Sequence, residues 1–295
     1  MQWESASSSN PLTEAQWLAQ RESHRERVRP FTSDRVARAS SAQPHAVYDF
    51  LFTYYSFRPS HLERWSPGAD VAFEGSEDAT LDWPNDTVRS GNGWVIPSSS
   101  FPQHRVRYLE WCRHYLSSIA ARPPSFSCFG LHEWAMVYKT PDVRHSQVPL
   151  RVSSEQIAAA VEGLGLRCSH YDAFRFFTPD AVPLNREQLS REATSEHDQR
   201  ACIHVTMDLY KFAFKIAPWC ASELVADAFL LAAEARRIDM RASPYDLESM
   251  GFTPIRIETP EGRQEYVQEQ RRLAELAVPV RSRLIETYET LLSTR

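Results

Sequence analysis

Apolar positions along this chain recur mainly at helical spacing. Residues 101–121 (FPQHRVRYLEWCRHYLSSIAA) put Val106, Leu109, Cys112 and Leu116 on one side and Arg105 and Arg113 elsewhere. This predicts an amphipathic helix, stopped by Pro123-Pro124. Over 201–216, Ile203, Met207, Tyr210 and Phe214 form an apolar stripe beside a polar one of His204, Asp208, Lys211 and Lys215, at i, i+4, i+7 and i+11. The polar stripe fits either a solvated face or the wall of a site. Ser222 stands as a cap before the strongly helical run ELVADAFLLAAEARRIDM, and Ser243-Pro244 is read as the start of a short helix containing Tyr245, Asp246 and Leu247. Thr259-Pro260-Glu261 opens a last long helix with Tyr266, Leu273, Leu276, Val280, Leu284 and Leu291 as its apolar seam, broken or kinked near Pro279. Capping-box spacing marks two more starts. Thr13 and Gln16 precede a helix near the N-terminus, and Ser153 and Gln156 begin one that runs through Leu164 and ends near Gly165.

Other stretches lack this period. In 44–65, Tyr48, Leu51, Phe52 and Tyr55 keep roughly helical spacing until Pro59 breaks it ahead of Leu62 and Trp65. Residues 66–100 shift to Gly, Pro, Asp and Ser, an irregular or short-stranded insertion. The segment CSHYDAFRFF (168–177) alternates as a strand would, with His170, Asp172 and Phe174 on one face. Residues 178–200 read as a long connection with a short helix inside, a candidate lid or hinge. The expectation is a mainly α fold: one compact helical domain with a minor β component, α+β being the variant. Residues 1–43 form an N-terminal arm and helix, and 44–295 a single helical catalytic domain with the insertion near 66–100.

Composition narrows the class. With 42 % apolar and 12 % aromatic residues in 295, the chain can bury a sizeable core. It has no apolar run of the roughly 18 residues a membrane helix needs, and MQWESASSSN lacks the features of a signal peptide. A soluble cytoplasmic protein is expected. Five widely spaced cysteines (Cys112, Cys128, Cys168, Cys202, Cys220) without a CxxC pair argue for reduced core thiols over a disulfide framework or structural zinc. The net charge of −5 supplies no global field for phosphates. Locally, Arg21, Arg25, Arg27, Arg29, Arg35 and Arg38 meet few acids, as a solvated arm lying on the domain or as a patch for phosphates or an acidic partner.

Candidate chemistry concentrates in 128–151, CFGLHEWAMVYKTPDVRHSQVPLR, where His132, Glu133, Arg144, His145 and Arg151 stand among large apolar residues. Burying such groups costs several kcal/mol, roughly, unless a network satisfies them. Residues 168–177 and 203–215 have the same character, and the three stretches are expected to converge on one interior pocket. Glu133 and Asp172 are the leading candidate carboxylates and Asp208 the third. Replacing Glu133 or Asp172 by its amide should abolish activity with the fold kept.

The segments PHAVYDFLFTYYSFRPSHLERW, CFGLHEWAMVY, RHSQVPLR, CSHYDAFRFF, MDLYKFAFKIAP, SELVAD, DMRASPYDL and RIETPEGRQEYV together resemble a largely actinobacterial family labelled 3-methyladenine DNA glycosylase, over about residues 44–280. The resemblance implies hydrolysis of the N-glycosidic bond of an alkylated purine in damaged DNA, without a cofactor. An aromatic pocket would hold the flipped base while a carboxylate assists water or stabilises the sugar cation. Tyr54, Tyr55, Trp65 or Trp134 would stack on the base. Arg144, Arg175 and Lys211 would meet phosphates, Asp208 would line the substrate site, and Glu133 or Asp172, with His132 and His170, would carry the chemistry. A competing expectation comes from the residues alone: His132, His145, His170 and His204, with the same carboxylates, could hold iron or another divalent metal acting on a small molecule. HEWAM is not the HExxH zinc motif, since position 136 is Met. A third class is a non-catalytic binding or scaffolding protein whose buried polar groups only fix the fold.

Overall fold

The computed structural model describes residues 10–41, 44–75, 86–91, 93–143, 145 and 147–294. These build a mainly helical fold with a small sheet. In chain order the helices are α1 (Glu14–Ser41), α2 (Phe50–Thr53), α3 (Pro59–Leu62), α4 (Val106–Ala121), α5 (His132–Ala135), α6 (Ser154–Leu164), α7 (Tyr171–Phe174), α8 (Thr194–His197), α9 (Ile203–Lys215), α10 (Ser222–Arg241) and α11 (Pro260–Ser293). Strands β1 (Phe73–Glu74), β2 (Val88–Ser90) and β3 (Gly93–Val95) form an antiparallel sheet in the order β1-β3-β2. The short-stranded character expected of 66–100 lies here.

At the centre α9 packs against α10, with α11 in contact with both and α4 against α11. Most residues of α9 and α10 are buried, as suits helices enclosed by others. Tyr266, Leu273, Val280, Leu284 and Leu291 of α11 are buried as the seam requires, but Leu276 is 47 % exposed and falls outside it. No break occurs at Pro279: α11 runs through it as one helix. Thr259 caps its start, accepting from the Gly262 N–H at 3.1 Å. Gly262 is obligatory there, because a Cβ would lie 1.9 Å from the Arg256 carbonyl oxygen.

The capping box of α6 forms in both directions, and Gly165 closes the helix at φ 71°. The Thr13–Gln16 box likewise opens α1. Two local expectations fail. Ser222 is the first residue of α10, not its cap, and its hydroxyl donates to the Arg64 carbonyl and accepts from the Ser66 N–H, tying α10 to the chain after α3. Ser243-Pro244 opens no helix. Tyr245 instead bridges Leu150, and the turn that follows is a 3-10 segment at Glu248–Met250.

The arginine arm is α1, and much of its charge is neutralised internally. Arg27 pairs with Asp227 at 2.5 Å, Arg38 with Asp49 at 2.7 Å and Arg29 with Glu22 at 3.3 Å. The arm therefore lies on the domain rather than presenting a bare phosphate patch. Its N-terminal end makes a satellite core: Trp17 stacks on Trp65 at 5.7 Å, both against Phe73 of β1. Among the described residues no helix is long and apolar enough to cross a membrane.

His24 fastens α1 to α3, its ring Nε2 lying 2.7 Å from the Leu62 carbonyl oxygen. Burial lowers its pKa, outweighing the help of that carbonyl, and Arg27 lowers it further. The folded value thus lies below the unfolded one near 6.5. The His24 share of stability is present above that pH and is lost as pH falls through the folded value, at up to about 1.4 kcal/mol per pH unit for one proton. Urea unfolding from pH 7 down to pH 5 should therefore show a shallower loss in His24→Gln than in the parent chain. Equal slopes would contradict this assignment.

Candidate functional site

The 128–151 segment enters the core through a backbone reversal. Phe129 (φ 49°) and Gly130 (φ 71°) both occupy the left-handed region, strained for phenylalanine, and a Cβ on Gly130 would lie 3.1 Å from the Tyr266 ring. The reversal delivers His132 and Glu133 at the start of α5, both buried.

Arg236 of α10 waits there, 1 % exposed. Its Nη1 donates to Glu133 Oε1 at 2.8 Å and to Asp239 Oδ2 at 2.6 Å, Nη2 lies 3.4 Å from His145 Nε2, and the guanidinium carbon sits 4.2 Å over the Phe50 ring. His132 Nε2 is 2.8 Å from Asp239 Oδ1. Burial alone would raise the pKa of Asp239, but His132 and Arg236 outweigh it and hold the carboxyl well below the usual range. Around this knot, Trp134 donates its indole N–H to the Ala242 carbonyl at 2.8 Å, while Arg151 grips both oxygens of Glu258 at 2.6 and 2.9 Å.

His204, near the start of α9, meets the His132 ring edge-to-face at 4.2 Å and the His170 ring in parallel at 5.4 Å. Burial, with His132 adding to it, drives the His204 pKa far down, so this imidazole is neutral. His170 turns the other way: Nδ1 lies 3.0 Å from Asp198 Oδ1, and Tyr115 donates to Oδ2 of that carboxylate at 2.5 Å. Burial opposes the charge on His170, but Asp198 prevails and raises its pKa. The orienting carboxylate fixes Nδ1 as the protonated nitrogen.

His170 also lines a cavity of about 470 Å³. Tyr54, Tyr55, Phe57, Trp111 and Tyr171 supply aromatic wall, Arg175, Arg191, Lys211 and Lys215 supply cations, and Asp172 and Asp208 are its carboxylates. Asp208 accepts from Tyr55 Oη at 2.9 Å and from Lys211. Burial would raise its pKa, yet Lys211 and His170 lower it on balance, so it is an ionised carboxylate at neutral pH. Asp172 is part-exposed and pairs with Arg175 at 2.9 Å.

The three expected stretches do meet, but at two places. His132, His170 and His204 adjoin at the imidazole cluster, whereas the large cavity takes its walls from 54–57, α4, 170–175, 191–194 and α9. Tyr54, Tyr55, Asp172, His170, Arg175, Asp208 and Lys211 line that cavity. Glu133 does not; it is held by Arg236 in the core. Trp65 lies in the satellite core and Trp134 is fully buried with its N–H engaged, so neither can stack on a ligand. His145 is turned to Arg236 and Tyr245. Arg144 lies outside the described residues. The strand expected over 168–177 is instead the helical turn α7, which brings Asp172 and Arg175 together at i and i+3.

Asp198, Tyr115, Arg236 and Asp239 were missed by sequence reasoning. Arg236 and Asp239 carried a signal: two charges at i and i+3 within an alanine-rich run point inward with Phe229 and Ala232. Asp198, in a polar connection, carried none. Comparison with protein-family models, curated proteins and solved structures finds no match.

Removing Arg236 alone would leave two carboxylates buried against one another. Arg236→Met should lower the unfolding free energy by about 3–5 kcal/mol in urea titration; a loss below about 1 kcal/mol would show that the knot is not closed as described.

Proposed function

We propose that the large cavity receives an extruded, alkylated purine nucleotide of damaged DNA and hydrolyses its N-glycosidic bond. One observation carries this: aromatic rings, cations and an ionised, buried Asp208 line the same cavity of about 470 Å³. That volume falls within the roughly 300–1,000 Å³ usual for small-ligand sites.

Tyr54, Tyr55 and Trp111 offer faces for a base, and a cationic 3-methyladenine is attracted to such faces. Arg175, Arg191 and Lys215, which line the same cavity, would meet the flanking phosphates. As the C1′–N bond breaks, its electron pair leaves with the base and positive charge grows on the sugar. Asp208, which stays ionised, stabilises that cation. Asp172, the more exposed carboxylate, orients water and takes its proton as the oxygen bonds to C1′. His170, held by Asp198, can protonate a departing base that lacks a charge of its own. The reaction needs no further reactant.

Incubating the purified chain with methylated duplex DNA should release free 3-methyladenine. Asp208→Asn should slow release by about 100-fold or more, with circular dichroism unchanged, whereas Glu133→Gln should act through stability. Absence of release from the parent chain would end this proposal.

A further inference from the structure

Behind the cavity lies a second chemical centre. His132 Nε2 and Asp239 Oδ1 face each other at 2.8 Å, and neither atom is hydrogen-bonded to any other group among the described residues. Both residues are buried, at 5 % and 0 % exposure, so no bulk water satisfies those atoms. Buried polar atoms whose contacts stop at one another suit a site that an ion completes. His204 brings a ring nitrogen to the same point, and the three donor atoms all lie within 4.8 Å of one another.

We infer that His132, His204 and Asp239 form a binding site for a divalent first-row transition metal. Metal–ligand bonds near 2.0–2.2 Å place neighbouring donors roughly 2.9–3.4 Å apart, so donors within 4.8 Å of one another close on an ion by side-chain rotation. Two imidazoles and one carboxylate suit zinc, iron(II), manganese or cobalt, whereas calcium and magnesium prefer all-oxygen cages.

Each ligand comes from a separate, well-packed element: His132 from α5, His204 from α9, Asp239 from the last turn of α10. The outer shell is built too. Asp239 Oδ2 is held by Arg236 at 2.6 Å, which leaves Oδ1 for the ion.

Three protein ligands leave a coordination position open. A small cavity of about 20 Å³ adjoins His132 and His204, room for a single water. Cys128, Cys168 and Cys202 also line it, but no thiol joins the donor group among the described residues. His170 and His145, two of the four histidines considered as ligands from sequence alone, face Asp198 and Arg236 instead.

The test uses the untagged full chain, stripped with chelator and titrated with cobalt(II) while visible d–d absorption is followed. One cobalt per chain is expected. Affinity should fall by at least about tenfold in His204→Ala, the size of a lost metal contact, and should hold within about threefold in His170→Ala. Failure of the parent chain to take up cobalt at micromolar concentrations, or equal affinity in His204→Ala, would overturn the proposal. The parent titration decides the matter even if a variant does not fold, and it is independent of DNA hydrolysis.

Discussion

The guanidinium of Arg236 is the constraint on which the rest depends. A cation 1 % exposed in an alanine-rich helix costs several kcal/mol, roughly, in lost hydration, and must be met by partners from elsewhere in the chain. Glu133 and Asp239 meet it, with the Phe50 ring beneath. Since Glu133 belongs to 128–151 and Phe50 to α2, satisfying one charge draws three distant stretches to one point. Trp134, Arg151 and the Leu150–Tyr245 bridge then follow along the same seam. Apolar residues of like volume would fill such a space at no loss of stability. Buried charges of this kind fix position, and what they position is the imidazole cluster.

Helix α9 joins the two chemical regions. Its polar stripe begins with His204 at the imidazole centre and continues through Asp208, Lys211 and Lys215 along the large cavity. His170 stands between them, parallel to the His204 ring on one side and facing the cavity on the other.

That stripe was legible in the sequence because helical spacing alone places its members on one face. The capping boxes, the long helices and the strand-forming insertion were legible for the same reason: each depends on neighbours a few residues away. CSHYDAFRFF was misread because its alternation of polar and aromatic residues suits a strand, whereas the Asp172–Arg175 pair at i and i+3 closes a helical turn. Trp65 and Trp134 looked like stacking platforms since local sequence does not say whether an aromatic faces solvent or core. Glu133 was singled out correctly as buried, but its partner sits 103 residues away. Asp198 is further beyond local reading, since only the tertiary fold brings it to His170 and Tyr115.

The coupling between Glu133 and Arg236 is measured by a double-mutant cycle of Glu133→Gln, Arg236→Met and the pair in urea unfolding. A knot that closes the fold predicts an interaction energy of about 2 kcal/mol or more, with the double variant recovering much of the loss of Arg236→Met. Coupling below about 0.5 kcal/mol, the level of independent sites, would contradict it.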